Sequence, residues 1–358
     1  MDKKNKNPNV PNLRFLKFNQ NYETLQLKNT LKIKSGKDQK QVEVENGIYN
    51  IYGTGGIIGH TNTFLYDKES VGIGRKGTID KPVYFDQPFW TVDTLFYSEI
   101  YEGFIPKYIF YLFQTINWKK YNTSTGVPSL TSSSIENIEK SFPCYDEQLK
   151  VANFLTMIDM RIETQIKIID DYNSLKMGIY NWMFKENCAD YKLKQLAYIV
   201  KGDQINNDQL LSNGSYYMMN GGTSPSGYLD SYNVSENTIS ISEGGNSCGY
   251  VQFNSSPFWS GGHCYTIQNV NSALIENKYL YHYLKHKEKE IMNLRIGTGL
   301  PNIQKKDLEN FTIFVPSLLI QRKNLALFEM LDEKICILNE ELERLEMQKK
   351  YLLRNMFI

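Results

Sequence analysis

Two stretches of the chain carry apolar residues at alternating spacings of three and four. The positions are 155, 158, 162, 169, 172 and 179 in the first stretch, and 328, 331, 335, 338, 342, 345 and 352 in the second. This is the heptad pattern of a helix that buries a narrow seam, with charged residues such as Glu340 and Arg344 left outside. It predicts two long helices of roughly 37 residues, each about 55 Å long.

We expect the two helices to bury their seams against each other in an antiparallel pair. The alternative is that each helix packs on its own globular module, but each helix is longer than such a module is wide. Gln165, Lys176 and Lys349 interrupt the seams and can fix the alignment. The residues predicted to pair the helices are Leu155, Ile158, Ile162, Ile169, Ile179, Phe328, Leu331, Ile335, Leu338, Leu342 and Leu345.

The segments before these helices alternate apolar and polar residues over short runs and are punctuated by Gly and Asn, which indicates mixed α/β modules with many short strands. The runs are LKIKSG (31–36), GIYNIYG (47–53), SVGIGRKGTI (70–79), VYFDQPFW (83–90), TISISEGG (238–245) and YVQFNSSPFW (250–259). A predicted helix, 106–117 or 277–293, precedes a GVPSL or GLPNI loop.

An internal repeat relates the two halves. Residues 126–184 align with 299–357 at a constant offset of 173, and 13 of the 59 pairs are identical. Upstream, LKNTLKIKSG resembles LKQLAYIVKG and QPFW resembles SPFW, whereas the loops between them differ. A shared framework with different loops favours two modules that have one fold and recognise different things.

These patterns predict the fold class. We expect two α/β (α+β) recognition modules in tandem, joined by two long antiparallel coiled-coil helices with pseudo-two-fold symmetry. The predicted boundaries are a basic lead-in at 1–24, a first module at 25–146, a central helix at 147–187, a second module at 188–318 and a C-terminal helix at 319–358.

The composition limits the classes of function that the chain can have. Lys and Arg total 40 against 39 Asp and Glu, so any contact with nucleic acid must rely on local patches. No apolar stretch approaches the roughly 18 residues of a membrane span, and the first residues lack the apolar core of a signal peptide. We therefore expect a cytoplasmic protein that does not bind membranes. The five cysteines lack paired spacing and are expected to be reduced thiols.

The Gly-rich loops are the candidate contact surfaces. In YGTGGIIGH (52–60) and GRKGT (74–78), Gly permits close backbone approach, and Arg75 and Lys76 can hold phosphate or the edge of guanine. Asn220 and Asn246 are candidates for adenine edges. Alternatively, these loops are ordinary connectors. The predicted DNA-binding residues are Lys34, Lys37, Tyr52, Thr54, His60, Arg75, Lys76, Asn122, Ser124, Thr125, Lys201, Asn220, Thr223, Ser224, Asn246, Ser247, Arg295 and Thr298.

Motifs for catalysis by this chain are missing. The sequence has no P-loop, no zinc-spaced Cys or His cluster, no nucleophile elbow and no (Asp/Asn)-Pro-Pro-aromatic motif. His282 and His286 lie one helical turn apart but have no evident third ligand, so we expect a solvated face and no metal site. The sequence indicates a binding protein.

The order of these motifs resembles the specificity subunits of type I restriction-modification enzymes. The resemblance covers almost the whole chain: PNLRF (11–15), LKIKSG, YGTGGIIG, GRKGT, PFWTVDT, the TGVPSL and GTGLPNI loops, the joints FPCYDEQ and VPSLLIQ, and both long helices. The second module departs from the pattern, because EGGNSCG takes the place of GRKGT.

The resemblance implies that each module reads half of a bipartite, asymmetric site in double-stranded DNA. It implies that the helices set the spacing and dock two methyltransferase subunits, with a motor/endonuclease (restriction) subunit as a further partner. This chain would carry no cofactor, and the partners would supply S-adenosylmethionine, ATP and Mg. An orphan specificity protein of a methylation system without the motor would look the same. The competing interpretation is a scaffold whose modules bind protein or glycan and whose coiled helices bind protein partners.

Overall fold

A computed structural model describes residues 10–184, 189–297, 299 and 301–358. The protein divides into two compact units. Unit 1 joins the chain up to Ile166 to residues 340–358, and unit 2 comprises residues 167–339. Each unit therefore holds an α/β module together with part of both long helices.

The module of unit 1 is built from short strands in three small sheets. Its strands are β1 (Glu23–Gln26), β2 (Leu31–Ser35), β3 (Glu43–Val44), β4 (Tyr49–Gly53), β5 (Gly56–Thr61), β6 (Ser70–Gly74), β7 (Val83–Phe85), β8 (Phe89–Thr91), β9 (Leu95–Ile100) and β10 (Glu139–Phe142). The sheet orders are β1-β10, β2-β9-β6-β7 and β3-β5-β4-β8. Helices α1 (Pro106–Thr115) and α2 (Ser132–Glu136) follow β9, and the long helix α3 (Tyr145–Met183) follows β10.

Burial follows the apolar pattern of this module. Along β2, Leu31 and Ile33 are buried while Lys32 is exposed, so one face of the strand meets the core. The central strand β6 is buried along its whole length. On α1 the apolar residues Tyr108, Ile109, Tyr111, Leu112 and Phe113 join the same core as β2 and β6. The helix thus packs on the sheet through its apolar side.

The module of unit 2 repeats this arrangement. Its strands are β11 (Ala189–Lys192), β12 (Tyr198–Lys201), β13 (Tyr216–Met219), β14 (Gly227–Leu229), β15 (Thr238–Ser242), β16 (Val251–Asn254), β17 (Trp259–Ser260), β18 (Cys264–Gln268) and β19 (Thr312–Val315). The sheet orders are β11-β19, β12-β18-β15-β16 and β14-β13-β17. Its helices are α4 (Leu193–Leu196), α5 (Asn277–His286), α6 (Glu288–Met292) and α7 (Lys305–Glu309), and the long helix α8 (Leu318–Met356) follows β19.

The equivalence extends to single hydrogen bonds. The QPFW and SPFW segments both form parallel strand pairs, β4 with β8 and β13 with β17. Lys37 N donates to Thr91 O at 2.8 Å, and Asp203 N donates to Ser260 O at 2.9 Å. The glycine before each donor has no room for a side chain, since a Cβ on Gly36 would lie 2.1 Å from a backbone oxygen. The upstream sequence similarity thus reflects a shared close approach of two backbones.

The two long helices were predicted from the heptad pattern, and each has 39 residues. They do more than pair with each other. In unit 1, Leu155 of α3 shares one core with Leu352 and Phe357 from the end of the chain. In unit 2, Tyr180 of α3 shares a core with Phe328 of α8. The seam pattern alone did not predict that both helices enter the module cores.

The residues predicted to pair the helices are at least partly buried. Leu155, Ile169, Phe328, Leu331, Leu338 and Leu345 are buried, and Ile158, Ile162, Ile179, Ile335 and Leu342 are half-buried. The polar seam residues make contacts between the helices inside each unit. In unit 1, Lys349 Nζ lies 2.6 Å from Asp159 Oδ1. In unit 2, Lys176 contacts Asp332. These two ion pairs are related by the repeat offset of 173.

A buried glutamine fixes the start of each long helix to its module. Gln148 donates to Pro143 O at 3.1 Å and accepts from Ile105 N at 3.1 Å, at the start of α1. Gln321 donates to Pro316 O at 2.8 Å, and its side-chain oxygen accepts from the backbone at the start of α5. Removing either side chain would leave buried backbone groups without partners. This explains why Pro and Gln recur in the repeat.

Several predicted elements were too long, as two examples illustrate. The predicted helix 277–293 is divided into α5 and α6, because the backbone turns at Lys287 and the Glu288 carboxylate accepts from Val251 N at 2.8 Å. The predicted strand 70–79 ends at Gly74, because Gly77 has a φ of +87° and the chain turns there.

Candidate nucleic-acid interface

The turn after β6 is bound to the loop that contains Pro128. Arg75 N donates to Thr94 O at 2.7 Å, and Leu130 N donates to Arg75 O at 2.9 Å. Gly77 N donates to Pro128 O at 2.9 Å. These bonds place the GRKGT turn and the TGVPSL loop side by side at one edge of the module.

The same turn and loop are bound together in the second module. Gly245 N donates to Pro301 O at 3.0 Å, and Ile303 N donates to Glu243 O at 2.9 Å. Gly245 also has a positive φ, +75°, as Gly77 does. Position by position, Glu243 therefore corresponds to Arg75, and Gly244 corresponds to Lys76. The framework is shared, but an acidic residue in the second module takes the place of Arg75 in the turn.

Arg75 and Lys76 border a cavity of about 310 Å³. It is lined by Ser35, Arg75, Lys76, Phe96, Ser129, Leu130, Thr131 and Ser132, and none of these is acidic. Arg75 Nη1 donates to Asp93 O at 3.2 Å, which orients the guanidinium, while Lys76 is exposed. Two cations beside several hydroxyl groups can hold a phosphate or a guanine edge.

The side chain of Asn122 organises the neighbouring loop. Its Oδ1 accepts from Ser124 N at 3.1 Å and from Ser129 N at 2.9 Å, and its Nδ2 donates to Ser124 O at 2.8 Å. Ser124 Oγ in turn accepts from Gly126 N at 3.3 Å. Thr125 is exposed at the tip. Asn122 thus shapes the loop, whose exposed polar residues include Thr125.

The remaining predicted residues of the first module are spread more widely. Lys37 follows β2 and is exposed, and Lys34 is paired with Glu99 at 3.3 Å. The ring of Tyr52 packs on Phe85 at 4.9 Å between centroids. Thr54 lies in the turn between β4 and β5 and is half-buried, whereas His60 pairs with Asn50 further along β5.

In the second module, the two Gly-rich loops contact each other. Ser242 Oγ donates to Gly221 O at 2.8 Å, and Ser247 Oγ donates to the same oxygen. Asn220 Oδ1 accepts from His263 N at 3.0 Å, so this side chain holds the loop together. Four predicted residues, Thr223, Ser224, Asn246 and Arg295, are exposed. Thr298 lies outside the described residues.

Lys201, at the end of β12, is held by a residue that sequence reasoning missed. Its Nζ lies 2.6 Å from Glu243 Oε1, and Tyr265 donates its hydroxyl to the same oxygen at 3.1 Å. Burial and the adjacent carboxylate raise the pKa of Tyr265, which therefore stays a neutral donor. Ser129 and Asn302 were also missed, although each follows the proline of its loop and pairs with the turn. Their equal spacing after Pro128 and Pro301 was the available signal.

The expected solvated face at His282 and His286 is wrong. His282 is 4% exposed, and Tyr180 Oη lies 2.9 Å from its Nδ1, so the ring belongs to the core of unit 2. Burial lowers the pKa of His282 to about 4, which makes it neutral at pH 7. His286 is half-buried and its ring lies against Tyr180. Their helix packs on α3, which the one-turn spacing did not indicate.

Within the described ranges, no group of three or more His, Cys, Asp or Glu side chains is arranged to hold a metal ion. Among the helices that the structure describes, none is both long enough and apolar enough to cross a bilayer. The described cysteines, Cys144, Cys248, Cys264 and Cys336, are not joined to one another by disulfides, and Cys188 lies outside the described residues. Because the turn and the proline loop are bound together in the same way in both modules, the polar edge they form is the best candidate site in each.

Comparisons with known proteins identify relatives along the chain. Over 164 residues it is 34% identical to a putative type I specificity subunit of Mycoplasma pneumoniae, a match that spans 46% of this chain and 42% of that protein. It is 24% identical over 281 residues to a type I restriction enzyme specificity subunit of Methanocaldococcus jannaschii, covering 65% and 64% of the two chains. The chain thus matches less than two thirds of the length of these relatives.

The solved structures share the fold. The crystal structure of a type I restriction-modification S subunit from M. genitalium superposes with a TM-score of 0.71 at 20% identity, covering 98% of this chain and 99% of that one. A chain from a study of complex assembly in the type I system gives a TM-score of 0.60 at 14% identity, covering 94% and 96%. The model of the type I restriction modification DNA specificity domain matches residues 19–170 and again residues 185–347. The chain therefore belongs to the type I restriction modification DNA specificity domain family, with two copies of the domain in tandem.

Proposed function

We propose that this chain is the DNA-specificity subunit of a type I restriction-modification complex and is not itself catalytic. Each module reads one half of a bipartite, asymmetric site in double-stranded DNA. The main support for this proposal is the edge that the turn and the proline loop form in the same way in both modules. Gly77 and Gly245 make equivalent bonds to the two prolines, yet the same position of the turn holds Arg75 in one module and Glu243 in the other. Two modules that share this backbone framework but differ in its polar side chains can recognise different base sequences.

The long helices are proposed to connect the modules, to set the spacing between the half-sites and to dock two methyltransferase subunits. Met157 in unit 1 and Met330 in unit 2 are related by the repeat, and they are 60% and 66% exposed. Exposed, unbranched apolar side chains at equivalent places support one docking surface per copy. The methyltransferase subunits would bring S-adenosylmethionine as the donor of a methyl group to adenine N6. A restriction subunit would bring ATP and Mg for translocation and cleavage.

DNA binding by the complex with its methyltransferase subunits tests the role of the first edge. Replacing Arg75→Ala and Lys76→Ala together removes both cations from the cavity. We expect affinity for the target to fall at least tenfold, because a charge-assisted contact contributes about 1.5–3 kcal/mol. If both cations contact phosphate, the slope of log affinity against log salt should fall by about 1.8. Equilibrium titrations at four or five salt concentrations measure both quantities.

The matched control is the Lys28→Ala and Lys68→Ala double variant. Both lysines are exposed in the same module, but they lie before β2 and before β6, at the ends opposite to the candidate edge. This variant removes the same charge and should bind within about threefold of the unaltered complex, since distant surface charges are screened. Equal losses in the two variants would contradict the site. DNA binding without salt dependence, or none at all, would favour the protein-binding scaffold.

A further inference from the structure

The strand registers align the two edges residue by residue. In the first module, Ser35 of β2 and Ile73 of β6 both pair with Phe96 of β9. In the second module, Lys201 of β12 and Ile241 of β15 both pair with Tyr265 of β18. Two residues beyond Ile73 is Arg75, and two residues beyond Ile241 is Glu243. Ser35, Phe96 and Arg75 thus correspond to Lys201, Tyr265 and Glu243.

The three differences form one interacting group. In the second module, Glu243 Oε1 lies 2.6 Å from Lys201 Nζ and accepts from the Tyr265 hydroxyl at 3.1 Å. In the first module, Phe96 has no hydroxyl and Ser35 has no charge, while Arg75 carries the cation itself. In the second module the cation therefore lies at the end of β12, on the far side of β18 from the turn that follows β15. The carboxylate of Glu243 contacts the Lys201 ammonium, and the Tyr265 hydroxyl donates to the same carboxylate.

Burial shows which member of the group faces outward. Glu243 is 8% exposed, and its backbone is bound on both sides, with Glu243 N donating to His263 O at 2.9 Å and Glu243 O accepting from Ile303 N. The Lys201 side chain is 51% exposed. A buried carboxylate needs a compensating charge, so Glu243 draws the ammonium to a fixed place. His263 Nδ1 lies 3.7 Å from the second carboxylate oxygen.

We infer that Lys201 is a DNA-contacting cation of the second module, that Glu243 and Tyr265 position it, and that it takes the place of Arg75 in the first module. This inference rests on the proposed function, and it names Lys201 as a residue through which the second module contacts its half-site. An ammonium is a compact point charge, whereas a guanidinium offers a planar fork of donors. The two modules therefore keep a cation at the same edge but present different hydrogen-bonding geometry to the DNA.

Three variants in the complex with methyltransferase subunits test the inference. K201S/E243Q removes the cation without leaving a buried charge, and it should reduce DNA affinity about tenfold and the salt slope by about 0.9 if the contact is to phosphate. K201S/E243R differs only at residue 243 and rebuilds the arrangement of Ser35 and Arg75. It should return affinity to within about threefold of the unaltered complex. E243Q alone keeps Lys201 but removes the charge that positions its ammonium. DNA affinity should therefore fall about threefold, with the salt slope unchanged.

Thermal unfolding of each complex separates this role from a purely structural one. A salt bridge that only stabilises the fold would lower the unfolding temperature of K201S/E243Q while leaving the DNA affinity of the folded complex unchanged, and that result would overturn the inference. So would failure of K201S/E243R to bind better than K201S/E243Q when both are folded. If the unaltered complex itself shows no salt-dependent DNA binding, the proposed function fails first. If it binds and K201S/E243Q binds equally well, only the inference about Lys201 fails.

Discussion

Exchange of residues 23–142 for the corresponding module of a relative is expected to replace one half of the methylated DNA motif and to leave the other half unaltered. This span runs from β1 to β10, which pair with each other, and it leaves both long helices intact. The turn, the proline loop and the cavity of the first module are all made by residues within the span. The second module has a separate core. Methylation mapping of a host that carries the exchanged chain and its methyltransferase measures the result.

The reciprocal exchange of residues 189–315, from β11 to β19, is the matched control. It should change the half of the motif that the first exchange preserves. A change in both halves after a single exchange would show that the modules do not read DNA independently. An unaltered motif after both exchanges would remove the modules from base recognition.

Reversing the charge at one end of the helix pair is expected to destabilise the protein strongly. Lys349 Nζ lies 2.6 Å from Asp159 Oδ1, with the two side chains 23% and 22% exposed. Tyr111 also donates to Asp159, at 2.8 Å. Lys349→Asp would place two carboxylates together in a partly buried seam and should lower the free energy of unfolding by about 2–3 kcal/mol. Urea unfolding monitored by circular dichroism measures the change.

The double variant D159K/K349D should recover about half of this loss, because it restores opposite charges but leaves Tyr111 without its acceptor. The exposed Arg344, 3.9 Å from Glu340, provides the control, and Arg344→Glu should cost about 0.5 kcal/mol. Equal costs for Lys349→Asp and Arg344→Glu, or no recovery in the double variant, would contradict a role for the pair in aligning the helices. The equivalent pair of unit 2, Lys176 and Asp332, should behave in the same way.

The sequence predicted the elements that depend on periodic burial. Heptad spacing predicted two long helices, and the offset of 173 predicted that the halves share a fold. The fold class is confirmed. Lys176 and Lys349 were recognised as seam residues because a cation interrupts an apolar row. Their partners Asp332 and Asp159 were known only as matching residues of the repeat, since a spacing along one helix does not show which residue of another helix lies opposite.

Contacts between segments that are far apart along the chain could not be predicted from the sequence. Lys201 and Glu243 are 42 residues apart and meet only because β12 and β15 flank β18. Glu243 was overlooked because an acidic residue in a Gly-rich loop is usually solvated, whereas this one is buried under Lys201 and Tyr265. His282 was misjudged for the same reason, because Tyr180 and Phe328 cover it from other helices. Tertiary packing decides the exposure of polar residues on short elements.

Methylation sequencing of a host that expresses the chain with its neighbouring methyltransferase subunit, compared with the same host lacking only the chain, tests whether this chain determines which DNA sequence is methylated. We expect a bipartite N6-methyladenine motif that appears only when the chain is present. The same methylated motif in both hosts would contradict a role of the chain in specificity. So would the absence of any motif in the host with the chain, when the methyltransferase is shown to be active.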